Sequence, residues 1–234
     1  MADTAGALMG ATVAELRHRP VVILGAGGHA RVVVDALRSR GERDIVALLD
    51  YDRTLHGSML DGVRIVGSDE CLADYPPTSY DVVVAAVGFG RRVVRYALLE
   101  QVRALGYQIA TVVHASATVS PHATIGAGAQ VMAGAIVNPG ARVGDDTILN
   151  TGAVVEHDCI VGRGAHLAPR ALLGGRVIVG DMAQLGLGCV ILPGLTVEAG
   201  AVIGAGAVVT RNVIEHTTVV GIPARPLTRE GLDE

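Results

Sequence analysis

Val155-Glu156-His157-Asp158-Cys159-Ile160-Val161-Gly162-Arg163-Gly164-Ala165-His166-Leu167 carries the pattern that decides the fold. Aliphatic residues stand at 155, 161 and 167, and four positions after each of the first two comes a small one, Cys159 and Ala165. Followed in both directions, the aliphatic position recurs every sixth residue from Val113 to Val209 without a failure, seventeen times in all. An α-helix presents a face every 3.6 residues and a strand every 2.0, so a strict six implies short strands separated by regular corners. That is the pattern of a parallel β-helix, in which each rung buries one aliphatic and one small residue against identical rungs.

The repeats account for less than half of the 234 residues, so two domains are expected. The boundaries read as an extension over 1–19, an α/β domain over 20–112, the β-helix over 113–215 and a tail over 216–234. Aromatic residues make up 3% of the chain, with no Trp and a single Phe89, which suits a narrow solenoid interior. Net charge is −4 and Lys and Arg form no run, which argues against a nucleic-acid partner. No apolar stretch is long enough to span a bilayer, and residues 1–19 lack the basic start and apolar core of a signal peptide, so a cytoplasmic location is expected. The three cysteines lack metal spacing, and Cys159 and Cys189 fall on the inward small position.

In the first half, Pro20–Leu24 reads as a strand, Gly25-Ala26-Gly27-Gly28-His29-Ala30 as a glycine turn, and the stretch to Arg40 as a helix. Ile45–Leu49, Val63–Val66 and Asp81–Val87 read as further strands, Arg91–Leu105 as a helix, and 55–61 and 74–79 as loops. Alternation of strand and helix implies a small open parallel sheet. The glycine turn fits G-x-G-x-x-G/A, with Asp50 ending the next strand as a ribose-binding acid does. Three readings stay open: an NAD site, a helix N-terminus that holds some other phosphate, or a structural tight turn.

In a triangular coil of three hexads, residues 18 apart stack at about 4.8 Å. His157 then lies at a corner with Gly175 above it, so a base and a bare backbone N–H stand together as acyl transfer requires. Glu156 or Asp158 could accept from its other nitrogen. His166 is half a coil away and would reach the same site only from another subunit. His18, His56, His114, His122 and His216 read as surface residues, and no zinc-like set is present, so no metal is expected. Leu149 and Met132 read as flat-face residues available for assembly.

Taken together, the glycine-histidine turn at 25–29, Asn150-Thr151, Glu156-His157-Asp158, His166 and Gly221-Ile222-Pro223-Ala224-Arg225 resemble the bacterial sugar O-acyltransferases and nucleotide-sugar N-acetyltransferases. This group includes the sialic acid, bacillosamine and perosamine acetyltransferases. The resemblance implies a Rossmann-like domain joined to a left-handed parallel β-helix, a homotrimer, and acetyl-CoA as acyl donor in the groove between prisms. It implies that His157 is the general base, Asp158 its orienting acid and Gly175 the oxyanion donor, with His166, Gly175, Leu187 and Ala205 touching acetyl-CoA. It assigns Gly27, Gly28, His29, Asp50 and Gly88 to the nucleotide-sugar substrate. The reading is N-acetylation of a nucleotide-linked amino-deoxysugar by direct transfer. The alternatives are O-acetylation of a sialic acid or related sugar, an NAD-dependent oxidoreductase, and a non-catalytic sugar-nucleotide-binding scaffold.

Overall fold

A computed structural model describes residues 19–86 and 92–227. It divides into two compact units, one from Arg17–Ala117 with Gln130–Ala135, the other from Thr118–Ala129 with the chain from Ile136 onward.

The first unit is built on β1 (Val21–Leu24), α1 (Gly28–Arg40), β2 (Ile45–Leu49), β3 (Met59–Leu60), β4 (Val63–Gly67), β5 (Asp81–Val84) and α2 (Arg92–Ala104). The sheet order is β3-β4-β2-β1-β5, parallel except for the edge strand β3. All four residues of β1 are fully buried because both faces of the sheet are covered. Val21 and Ile23 join one core with Val33, Val34 and Leu37 of α1, and Val22 and Leu24 join the other with Leu99 and Val102 of α2. Helix α1 ends on Gly41 in the left-handed conformation.

The stretch expected to be a loop at 55–61 contains β3, which returns to β4 through Asp61 and Gly62 at φ 45° and 79°. Asp-Gly between apolar residues is a strong hairpin signal.

In the second unit two-residue strands stack with a register of 18: Ile136–Val137 pairs with Val154–Val155, which pairs with Leu172–Leu173. Arg142–Val143 with Ile160–Val161, and Ile148–Leu149 with His166–Leu167, do the same on the other two sheets. Three hexads therefore make one coil of a triangular prism. The aliphatic positions Leu149, Val155, Leu167 and Leu173 and the small positions Ala153, Cys159, Ala165 and Ala171 are all 0% exposed. Thr147 fills one small position because its hydroxyl donates to the Gly162 carbonyl at 2.8 Å.

From Gly128 to Gly206 the second residue of each corner sits at positive φ, as in Gly140, Asp158 and Arg176. The regular coil ends after Val209: Val202 pairs with Thr218 and Val197 with Val213, a register of 16. The expected tail also adds strands at Thr218–Val220 and Arg225–Pro226.

Leu149 and Met132, expected on flat faces, are both fully buried. Leu149 is one of the inward aliphatic positions, and Met132 packs in the α1-side core of the first unit.

Candidate functional site

The corner at His157 is set by its neighbours along the prism edge. Asp158 occupies the left-handed position at φ 59°, which a short acidic side chain tolerates. From there its Oδ2 lies 2.9 Å from Nδ1 of His157. Glu156 instead accepts from the His157 backbone N–H at 3.3 Å, so of the two acids only Asp158 faces the ring.

The carbonyl of His157 accepts from Arg176 N–H at 2.9 Å, which places Gly175 on the same edge one coil along. A β-carbon on Gly175 would stand 2.5 Å from Nε2 of His157, so the ring uses the space that glycine leaves. Gly175 is buried under it, and among the described residues no protein group accepts its N–H. At two other corners the first residue is capped: Asp145 accepts from Ala127 N–H and Asp181 from Arg163 N–H, both at 2.8 Å.

With Nδ1–H given to Asp158, the lone pair of His157 lies on Nε2, beside Gly175. The arrangement can take a proton at Nε2. It also offers an unspent N–H next to it. Half of the His157 side chain, 52%, is exposed.

His166 lies on a different sheet, 3.5 Å from Nδ2 of Asn150 through its Nε2. Leu187 and Ala205 share another edge, where Gly206 N–H donates to the Leu187 carbonyl at 2.8 Å. Both are exposed, and neither N–H has a protein acceptor among the described residues. The structure thus joins His157, Asp158 and Gly175 and leaves His166, Leu187 and Ala205 elsewhere on the prism.

Cys159 and Cys189 are fully buried, and burial raises both thiols, that of Cys189 to about 12. A cysteine nucleophile has no place here. Two histidines read as surface residues are held instead: His56 Nε2 bonds the Asp50 carbonyl at 2.8 Å, and His114 Nε2 lies 3.4 Å from Asp35.

The second constellation is in the first unit. Gly25 is at φ +98°, and a β-carbon there would meet Ala86 N at 3.2 Å, so this glycine serves the turn itself. Gly27 and Gly28 are exposed at the start of α1, with nothing within 4 Å of an added β-carbon. The turn borders a cleft of about 740 Å³ lined in part by Gly27, Gly28, His29, Asp50, Asp52 and Asp69.

Asp50 braces the turn. Its Oδ2 accepts from Ala26 N–H at 2.6 Å and its Oδ1 from Asp52 N–H at 2.9 Å. The Asp69 carboxyl is pushed up by burial and by the charge of Asp50. Gly88 lies outside the described residues.

Sequence reasoning missed Asp52 and Asp69, whose roles depend on where β2 and β4 end. It also missed Gln130, whose Oε1 lies 2.7 Å from His29 Nε2. An outward polar residue in a hexad carries no signal of what it faces.

Residues 20–102 match the PglD N-terminal domain, and 122–157 and 140–175 match the six-repeat bacterial transferase hexapeptide. The perosamine N-acetyltransferase PerB of Caulobacter crescentus, solved with CoA and GDP-perosamine, is 38% identical. That similarity covers 91% of this chain and 99% of PerB, with a TM-score of 0.82. The chain belongs to the sugar acetyltransferase family. This acetyltransferase is also 35% identical to the acetyltransferase domain of PglB from Neisseria gonorrhoeae, over 89% of this chain and 100% of that domain, with a TM-score of 0.82. The fold is accordingly a Rossmann-like domain followed by a left-handed parallel β-helix.

A putative acetyltransferase of Schizosaccharomyces pombe is 47% identical over 49 residues, 21% of this chain. The match spans about a quarter of the length of the curated relatives (24% here). Among the described residues no cluster of three or more His, Cys, Asp or Glu could hold a metal, and no helix is long and apolar enough to cross a membrane.

Proposed function

We propose that the protein transfers the acetyl group of acetyl-CoA to the amine of a nucleotide-linked amino-deoxysugar. The observation that carries this is the His157 corner within a chain 38% identical, over 99% of its partner, to an enzyme solved with CoA and a nucleotide-linked amino-sugar.

The sugar nitrogen attacks the thioester carbon while Nε2 of His157 takes the proton that this nitrogen loses. Asp158, accepting from Nδ1–H, holds the tautomer and favours the imidazolium that forms. The Gly175 N–H donates to the oxyanion. Collapse of the tetrahedral intermediate breaks the C–S bond, and the sulfur leaves as thiolate and recovers the proton from His157. No covalent enzyme intermediate is needed. His166, Leu187 and Ala205 are assigned to acetyl-CoA.

The exposed N-terminal turn of α1 is assigned to the substrate's diphosphate, because among the described residues no protein oxygen accepts the N–H groups of Gly28 and His29. Gly27 gives the same close access, and Asp50 is assigned to holding the turn and bordering the nucleoside.

A homotrimer is part of this reading. Five of the six outward residues of one prism sheet, Ile136, Val154, Leu172, Val190 and Val208, are aliphatic, the sixth being Thr118, and Ile136 and Leu172 are 36% and 38% exposed. A second copy is the partner that would cover them, and would bring His166 to the edge of His157. The location assigned is the cytoplasm, where acetyl-CoA is available.

The test is thiol release from acetyl-CoA with GDP-perosamine, a UDP-linked 4-amino sugar, and a sialic acid as acceptors, with sedimentation run alongside. Acetylation of a nucleotide-linked amine by a trimer is expected. Activity on the sialic acid alone would overturn the N-acetyl reading, and a stable active monomer would overturn the shared site.

A further inference from the structure

Gln130 is 1% exposed and makes two bonds that settle each other's chemistry. Its Nε2 donates to the carbonyl of Val84 at 2.8 Å, and only the amide NH2 can serve a carbonyl. Its Oε1 is therefore the atom 2.7 Å from Nε2 of His29, so His29 must carry its proton on Nε2. In the neutral ring the lone pair lies on Nδ1. Among the described residues Nδ1 has no hydrogen-bond partner, and His29 lines the cleft beside Gly27 and Gly28.

A neutral His29 is at odds with an anion. With Nε2–H spent on Gln130, the ring offers the cleft an acceptor only, which a phosphate oxygen cannot use. Protonation of Nδ1 removes the conflict, since the ring then donates from both nitrogens and Gln130 Oε1 remains a suitable acceptor in either charge state.

The cleft that His29 lines also carries Asp50, Tyr51 and Asp52 after β2 and Asp69 after β4, and the charge of Arg95 on α2 acts on the ring. In the free protein burial lowers the His29 pKa below 6.5, the Gln130 bond opposes this, and the charge of Arg95 adds to the lowering. An arriving diphosphate reverses the balance of charge.

Resting on the substrate assignment above, we infer that Gln130 is a positioning residue that locks the tautomer of His29, and that His29 takes up one proton at Nδ1 when the diphosphate of a nucleotide sugar binds. The proton comes from solvent and no covalent bond changes. Binding is then linked to pH. Between the free and bound pKa values of His29, the dissociation constant rises by up to about tenfold per pH unit.

The experiment is calorimetric titration with GDP-mannose and UDP-N-acetylglucosamine, whose pyrophosphate diesters do not titrate near neutrality. Each is measured at pH 7.5 in buffers of different ionisation enthalpy. The expected result is uptake of most of one proton by the wild type and none by His29→Gln. Gln130→Glu supplies a carboxylate that keeps His29 protonated beforehand, so it should bind with no uptake and a flattened pH profile. Binding by the wild type without proton uptake overturns the inference while leaving the substrate assignment standing. Binding of neither probe, nor of any acceptor acetylated in the assay above, overturns the substrate assignment and the inference with it.

Discussion

Gly175 and His157 share one volume: a β-carbon on the glycine would lie 2.5 Å from Nε2 of the imidazole and 2.7 Å from its Cε1. The ring can stand at that corner only because the residue one coil along has no side chain. Gly175 has no positive φ that would strain an alanine, and His157 is the flexible, half-exposed partner. Gly175→Ala should therefore fold with an unchanged melting temperature and displace the ring. Turnover should fall by about 10²- to 10⁴-fold, as for His157→Ala, the usual range for loss of a general base. A Gly175→Ala enzyme with wild-type turnover would show that Nε2 does not need this position.

Asp158 touches His157 through one 2.9 Å bond and lies in a left-handed corner that asparagine also tolerates. Asp158→Asn should leave the fold intact. Its amide can still accept from Nδ1–H but no longer supplies charge, so turnover should fall by less than in His157→Ala. Equal losses in the two variants, measured under single-turnover conditions, would give the acid a larger part than orientation.

The glycine turn separates structural from ligand-facing positions. Gly25→Ala places a β-carbon at φ +98° and 3.2 Å from Ala86 N, and should cost at least about 1 kcal/mol in denaturant unfolding. At Gly28 a β-carbon meets no protein atom within 4 Å and the residue begins a helix, so stability should hold in Gly28→Val. The side chain instead intrudes on the cleft, and the Michaelis constant for the sugar nucleotide should rise while that for acetyl-CoA stays constant. Equal loss of stability in both would remove the distinction.

Thiol chemistry should follow burial. With Cys189 pushed up to about 12 and Cys159 also raised, a disulfide reagent at pH 8 should modify no more than Cys71 in the native protein, and all three cysteines in urea. Rapid native labelling of two thiols would contradict the inward position of the small residues.

His29 also makes stability depend on pH. Its folded pKa is depressed below 6.5, so the unfolded chain binds its proton more readily. The stability that this group contributes is present above pH 6.5 and is lost as pH falls through the folded value. Between pH 7 and 5 the wild type should lose more melting temperature than His29→Gln, and identical slopes would mean the ring titrates freely in the fold.

The sequence by itself determined the prism. An aliphatic residue every six positions has one way to be buried, and the register of 18 that joins Val155 to Leu173 follows from closing three hexads into a coil. The stacking of His157 under Gly175 follows from the same arithmetic. So does the inward burial of Cys159 and Cys189. Tertiary structure decided what the period does not encode: which acid turns to the ring, since that depends on the left-handed corner at Asp158, and the burial of Met132 in the α1-side core. It also decided the cleft. The ends of β1, β2 and β4 gather His29, Asp50, Asp52 and Asp69 around one turn, and Gln130 reaches His29 from a hexad strand 101 residues further on. A repeat fixes neighbours at a constant separation along the chain, whereas an open α/β sheet brings together residues whose spacing follows no period, and only the folded chain reveals them.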